Sequence, residues 1–196
     1  MKKNKKIIIA IDVDEVSLDF MNPLLEYHND KYGTSLKRED FKSFNLWETW
    51  GGTRQEAVKK VYYFFNSPYS ENIKPIKGSQ ESINILSKNK DLVIATSIPG
   101  YLHSRTIGML SKYYSGMFKD FYFTYQFDRN NGNRKKNICL EKNVDFIIDD
   151  VIDNVLACSS VVKKAFLFDS PWNQINNLPE NVGRVHSWKE VLKQLG

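Results

Sequence analysis

The chain has 196 residues, 41% hydrophobic and 26% charged. It is long enough for one packed domain, or one domain with a modest insert, and too apolar for wholesale disorder. The formal net charge of +5 is mild, and much of it comes from Lys2, Lys3, Lys5 and Lys6 and from Lys135 and Lys136, so a solvated basic tail is favoured over a nucleic-acid surface. No apolar run approaches the ~20 residues that cross a membrane, the start lacks the apolar stretch of a secretory signal, and Cys139 and Cys158 have no metal-ligand spacing; the expectation is a reduced, cytoplasmic protein.

In chain order, the run Lys6-Ile-Ile-Ile-Ala-Ile11 reads as a strand buried on both faces, as in a parallel sheet, and it ends in Asp12 and Asp14. Beyond a regular strand these two carboxylates can converge, at the end where open α/β sheets bind their ligands. Two acids there repel, so a positive partner is expected between them, most simply a divalent metal. The alternative is that either one caps a following helix. Asp19–Lys31 carries a stripe of Phe20, Leu24 and Tyr27 that continues to Tyr32 and is closed by Gly33, and Thr53–Asn66 opens with Thr53 and Glu56 as a capping box; both are predicted helices. Roughly eighty residues separate Asp12 from the next strand candidate, far more than one crossover helix needs. Residues 18–75 are therefore expected to form a small helical insert above the carboxyl end of the sheet, with 1–17 and 76–196 forming the α/β core. Phe41, Phe44, Trp47, Trp50, Tyr62, Tyr63, Phe64 and Phe65 crowd this interval; most fit its own core, and one or two are available to stack on a substrate ring.

Further strands are predicted at Leu92–Ala95, Phe121–Thr124, Phe146–Ile148 and Lys164–Phe168, and helices at Glu81–Leu86, Leu102–Leu110, Lys136–Lys142 and Ile152–Ala157, with an exposed loop at Asp128–Asn133. This alternation specifies a parallel sheet covered by helices on both faces. Three strand ends carry more chemistry. Thr96 and Ser97 follow one strand before Pro99-Gly100, where hydroxyls and free N–H groups suit a phosphate oxygen, although Thr-Ser before such a turn also serves as plain turn chemistry. Lys135 and Lys136 are expected to open a helix running to Lys142, either neutralising a phosphate or remaining solvated. Asp149 and Asp150 end a buried strand, as a metal ligand with its neighbour or as a helix cap.

The order strand–Asp-x-Asp, strand–Thr, Lys before a helix, strand–Asp-Asp resembles the four motifs of the haloacid dehalogenase (HAD) superfamily, from Lys6 to the last helix. The opening Asp12-Val-Asp-Glu-Val-Ser-Leu-Asp-Phe20, then Asn45-Leu-Trp-Glu48, Thr96-Ser97, Phe146-Ile-Ile-Asp-Asp150 and Phe168-Asp-Ser-Pro-Trp-Asn173 resemble the 5'(3')-deoxyribonucleotidase family within it. The resemblance implies a HAD-like (Rossmann-like) α/β fold with a small helical cap, and Mg2+-dependent phosphoryl transfer through an aspartyl-phosphate. It assigns Asp12 as nucleophile and Asp14 as acid, then base. Asp12, the backbone carbonyl of Asp14 and Asp150 would bind Mg2+. Thr96, Ser97 and Lys135 would bind the phosphate, and Asp149 would sit behind, fixing Lys135 or water on the metal. Phe20 would stack on the base, with Phe44 and Trp47 lining the other side of the pocket. Lys135 is preferred to Lys136 because its fourteen-residue spacing to Asp149 suits one helix and the next strand.

Two departures stand out. Glu15 replaces the usual glycine, adding a negative charge beside the site, and Ile98 stands where arginine or proline is commoner. The expected partner is a nucleoside monophosphate, with no membrane, nucleic acid disfavoured and a homodimer left open. The rival readings are a HAD phosphatase for another small phosphate ester and a catalytically idle HAD-fold binding module.

Overall fold

The computed structural model describes residues 6–124 and 131–196, and of residues 131–133 the backbone alone. Lys2, Lys3, Lys5 and the Asp128–Asn130 part of the expected loop lie outside the described residues. The first half of the chain forms β1 (Ile8–Ile11), β2 (Leu18–Asp19), α1 (Met21–Tyr32), α2 (Leu46–Trp50), α3 (Arg54–Phe65), β3 (Lys74–Pro75) and α4 (Ser79–Ser87). The second half forms β4 (Asp91–Thr96), α5 (His103–Tyr113), β5 (Phe118–Phe123), α6 (Asn131–Glu141), β6 (Phe146–Asp149), α7 (Ile152–Ser159), β7 (Lys164–Phe168), β8 (Val182–Val185) and α8 (Trp188–Leu195).

The main sheet is six-stranded and parallel throughout, in the order β5-β4-β1-β6-β7-β8. Successive side chains of its central strands point to opposite faces, and both faces are buried. Ile9, Ile11, Leu92, Ile94, Ile148 and Phe166 pack on one side with Leu24 of α1, Ile83 of α4 and Trp188 of α8. Ala10, Val93, Ala95, Ile147, Ala165 and Leu167 pack on the other with Cys139 of α6 and Val155 and Cys158 of α7. The edges explain what the apolar pattern understated. β5 exposes Lys119 and Asp120, which blunt an edge strand, so only its far end at Phe121 was legible. β8, Val-Gly-Arg-Val, was not expected at all, because Gly183 and Arg184 break its apolar run.

The segment between β2 and β3 is helical and enters and leaves through a two-stranded antiparallel ribbon, Leu18 opposite Pro75 and Asp19 opposite Lys74. That ribbon takes Asp19, so α1 starts at Met21. Gly33 ends it at φ 64°, a left-handed position that glycine adopts without a Cβ penalty. Thr53 Oγ1 accepts from Glu56 N while Glu56 Oε2 accepts from Thr53 N, the expected capping box of α3. Phe20, Phe41, Phe64 and Phe65 are buried there, whereas Tyr62 and Tyr63 are exposed. One expectation is corrected: α6 begins at Asn131 and ends at Glu141, so Lys135 and Lys136 lie in its second turn and do not open it, and Asn131–Asn133 belong to this helix and not to a loop. No helix among the described residues is long and apolar enough to cross a membrane.

Candidate active site

The register of the sheet brings the strand-end residues together. Ile11 pairs with Ile94 on one side and Ile148 on the other, so Asp12, Thr96 and Asp149 leave three adjacent strands at the same end. Asp12 N still donates to Ile148 O at 3.0 Å, and there the chain turns back. Ser17 N and Leu18 N both donate to Val13 O, and Ser17 Oγ donates to Asp12 O at 2.7 Å. From outside, Trp188 Nε1 donates to Val16 O at 2.7 Å and Tyr114 Oη to Ser17 O at 2.6 Å. The turn carrying Asp12 and Asp14 is thus held by Tyr114, just beyond α5, and by α8 as well as by its own hydrogen bonds.

Asp12, Asp149 and Asp150 are all buried, and each offers a carboxylate oxygen within 4.8 Å of the others. Lys135, 1% exposed, lies among them: its Nζ donates to Asp149 Oδ2 at 2.6 Å and forms an ion pair with Asp12 Oδ1 at 3.0 Å. Lys136 is only half-buried. Both Asp149 oxygens are engaged, Oδ1 accepting from Val151 N at 2.8 Å and each oxygen approached by Asn154 Nδ2. Asp150 differs. Its Oδ2 accepts from Trp172 Nε1 at 2.8 Å and its main-chain oxygen from Asn173 Nδ2 at 2.7 Å, while Oδ1 is buried with no hydrogen-bond partner.

The orphaned Asp150 oxygen tests whether a metal fits. A buried carboxylate oxygen without a donor costs free energy, and three carboxylates face a single ammonium. An all-oxygen, anionic donor set of this kind suits a hard divalent cation such as Mg2+. The electrostatics carry the same signature. Burial pushes Asp12 up to about 6, with Asp149 adding to the rise and Lys135 opposing it. Burial, then the neighbouring Asp12 and Glu15, push Asp14 up to about 8. Burial and then Asp149 and Asp12 hold Asp150 well above the usual carboxylate range. Lys135 stays above the ordinary lysine value: burial lowers it, but the Asp12 and Asp149 carboxylates outweigh that.

The remaining sequence-predicted residues are placed as follows. Thr96 is buried at the end of β4, and Ser97 shares a 2.7 Å hydrogen bond with Thr124 Oγ1. Phe20 is buried, stacked on Phe65 at 5.7 Å between centroids and edge-on to Phe64. Phe44 meets the ring of Trp172 edge-on at 6.2 Å, and Trp47 is half-buried beneath the Arg54 guanidinium.

Sequence reasoning missed the role of Glu15. It has φ 61°, which explains why glycine suits this position, and its charge raises Asp14 and Asp150 as expected, yet its carboxylate also has partners of its own. Oε1 accepts from Phe20 N at 2.8 Å and Met21 N at 2.6 Å, at the start of α1, and Oε2 pairs with Arg38 Nη1. The Arg38 guanidinium in turn lies 4.7 Å over the Trp172 ring. The one available signal was the departure from glycine itself.

A parallel sheet of this order, with acids at the ends of β1 and β6 and a helix-borne lysine between them, defines a HAD-like α/β fold. A haloacid dehalogenase-like family hydrolase from Streptococcus pneumoniae superposes with a TM-score of 0.73 at 14% identity, covering 97% of this chain and 99% of that one. A HAD hydrolase from Bacillus subtilis, bound to magnesium, superposes with a TM-score of 0.61 at 17% identity over 98% of this chain and 99% of that one. Within that fold, the family described as 5' nucleotidase, deoxy (pyrimidine), cytosolic type C protein matches residues 5–195, and the chain belongs to it, a family of HAD-fold phosphatases. The 5'(3')-deoxyribonucleotidases of Bacillus subtilis (strain 168) and Bacillus phage SPbeta are each 26% identical over 196 residues, covering 97% of this chain and 99% of theirs.

Proposed function

We propose that this protein is a Mg2+-dependent phosphomonoesterase for nucleoside monophosphates, deoxynucleotides among them, working through an aspartyl-phosphate on Asp12. The observation that carries the reading is the buried trio Asp12, Asp149 and Asp150 around one lysine, with Asp150 Oδ1 lacking a donor. Family membership and the deoxyribonucleotidase relatives supply the substrate class.

Asp12, the main-chain carbonyl of Asp14 and Asp150 would hold the metal, which when bound offsets the negative charge of the phosphate. The two carboxylates of the first strand divide the acid–base work. With Asp12 near 6 and Asp14 near 8, a neutral solution favours an ionised Asp12 beside a protonated Asp14. A carboxylate oxygen of Asp12 attacks phosphorus as the ester P–O bond breaks, and Asp14 gives its proton to the departing oxygen. Asp14, now ionised, takes a proton from the water that attacks the same phosphorus, releasing phosphate and restoring Asp12. Lys135, Thr96 and Ser97 hold the non-bridging oxygens, where charge spreads in a loose transition state. Asp149 keeps Lys135 in place through its 2.6 Å hydrogen bond.

We assign substrate choice to residues 18–75 as the cap. In this reading Phe20, backed by Phe65, would stack on the nucleobase, and Phe44 and Trp47 would line the other side of the pocket. Stacking of this kind favours an aromatic base without dictating which one.

Phosphate release, with and without Mg2+, across deoxy- and ribonucleoside 5'- and 3'-monophosphates and a panel of sugar phosphates, tests the reading, with Asp12→Asn as the blank. Mg2+-dependent turnover of the nucleotides is expected. Turnover confined to sugar phosphates would discard the nucleotide assignment while keeping the chemistry.

A further inference from the structure

The motif Ser170-Pro-Trp-Asn173 has no part in the steps above, yet two of its side chains grip Asp150. It follows β7 as a tight turn in which Ser170 N donates to Asn173 Oδ1 at 3.2 Å, and Trp172 and Asn173 are both buried. Asn173 Nδ2 donates to Asp150 O at 2.7 Å and to Phe168 O at 2.8 Å, tying the end of β6 to the end of β7. Trp172 Nε1 donates to Asp150 Oδ2 at 2.8 Å. An indole N–H can only donate, so this contact engages one lone pair of Oδ2 and leaves Oδ1 as the buried oxygen of Asp150 that has no hydrogen-bond partner. The indole cannot swing away, because Arg38 lies over its ring at 4.7 Å and Phe44 packs edge-on against it at 6.2 Å.

We propose that Trp172 is a positioning residue that restricts Asp150 to one-oxygen coordination and thereby sets the preference of the metal centre for Mg2+ over Ca2+. The inference rests on the reading of Asp150 as a metal ligand. Mg2+ demands a near-ideal octahedron and takes one oxygen per carboxylate, whereas Ca2+ is larger and readily accepts both oxygens of one group. A donor on Oδ2 orients the carboxylate with Oδ1 free for the small ion and competes with the second contact that the large one takes. Outer partners of metal ligands typically contribute ten- to a hundred-fold in affinity.

The test is isothermal titration of the metal-free protein with MgCl2 and separately with CaCl2, for the wild type, Trp172→Phe and Asp150→Asn, alongside thermal unfolding of each metal-free variant. Phenylalanine keeps an aromatic ring between Arg38 and Phe44, smaller than the indole and without its N–H donor. Trp172→Phe is expected to raise the Mg2+ Kd about ten-fold or more and to leave Ca2+ binding equal or tighter, so that the Mg2+/Ca2+ preference falls. Equal losses for both ions, or no change for either while Asp150→Asn is impaired, would overturn the role of Trp172 and leave the metal centre standing. An Asp150→Asn protein that binds Mg2+ like the wild type would remove the metal-ligand reading, and this role with it. Should Trp172→Phe fail to fold, the wild type still decides: the assigned indole N–H resonance of Trp172 is expected to shift saturably with Mg2+, and a resonance unmoved at saturation overturns the proposal.

Discussion

Glu15 shows how a single side chain can carry a strained backbone. A non-glycine residue at φ 61° costs about 1–2 kcal/mol, while each hydrogen bond to a charged group contributes about 1.5–3 kcal/mol. Its carboxylate takes two N–H groups at the start of α1 and the Arg38 guanidinium, so the bonds outweigh the strain. Glu15→Gly is therefore expected to destabilise the protein by about 2–4 kcal/mol despite relieving the backbone, since it also leaves Arg38 without its carboxylate. Glu15→Gln keeps the strain and one acceptor and should fall between; urea unfolding of both would check the order. Lys135 poses the opposite problem, a cation enclosed by acids. Lys135→Ala is expected to cost about 3–5 kcal/mol at pH 8, where the Asp12 carboxylate is left charged and unpaired, and clearly less at pH 5, where Asp12 takes up a proton. Phosphate release should also fall on the order of a hundred-fold or more. Asp12, Asp14, Thr96, Asp149 and Asp150 were nameable from sequence, because a buried apolar run that ends in a polar residue marks a strand end, whereas Lys135 rested on its fourteen-residue spacing to Asp149. Arg38 and Trp172 were not assignable in the same way. Each meets its partner only through the tertiary fold, Arg38 across |i−j| of 23 to Glu15 and Trp172 across 22 to Asp150.

At the scale of elements, α1 and α3 are joined by a polar network that responds to acid. His28 on α1 stacks on Trp50 at 4.6 Å, and its Nε2 lies 3.2 Å from the Lys60 ammonium on α3. An ammonium cannot accept, so Nε2 is the acceptor and the proton sits on Nδ1, which donates to Thr34 Oγ1 at 3.0 Å; that hydroxyl donates to Asn29 Oδ1 at 2.7 Å. Burial, with Lys60 adding to it, lowers His28 from 6.5 to about 4. Between those values the unfolded chain binds a proton that the folded one does not, so stability rises with pH across the window and is lost as pH falls through it. His28→Gln is expected to remove this positive contribution, so that the slope of the urea midpoint against pH between about 4 and 6.5 is lower than in the wild type, whose buried carboxylates contribute with the opposite sign. A His28→Gln profile parallel to the wild type would remove His28 from this role. The helices themselves were legible from Thr53, Glu56 and Gly33, because caps are written locally. The ribbon of β2 and β3 was not: two residues per strand leave no periodicity to read, and the pairing of Asp19 with Lys74 spans the entire insert.

Over the whole molecule, the turn between β1 and β2 is gripped by parts of the chain far from it. Trp188 is fully buried, and its Nε1 donates to Val16 O across |i−j| of 172; Tyr114 reaches Ser17 O and also shares a 2.7 Å hydrogen bond with Ser79. The turn that follows Asp12 and Asp14 is therefore hydrogen-bonded to α8, an element distant from it in the chain. Removing the indole should separate packing from this grip. Trp188→Ala is expected to cost about 3–5 kcal/mol through the cavity it leaves among Ile83, Phe168 and Val191. Trp188→Phe fills most of that space but leaves Val16 O buried without its donor, a loss of about 1–3 kcal/mol. If the grip also aligns the turn, Trp188→Phe lowers kcat for phosphate release while Mg2+ affinity changes little, because Asp150 is held from the other side by Trp172 and Asn173. Unfolding free energies set beside kcat and the Mg2+ Kd would decide this, and an unchanged kcat in Trp188→Phe would reduce α8 to a purely stabilising role.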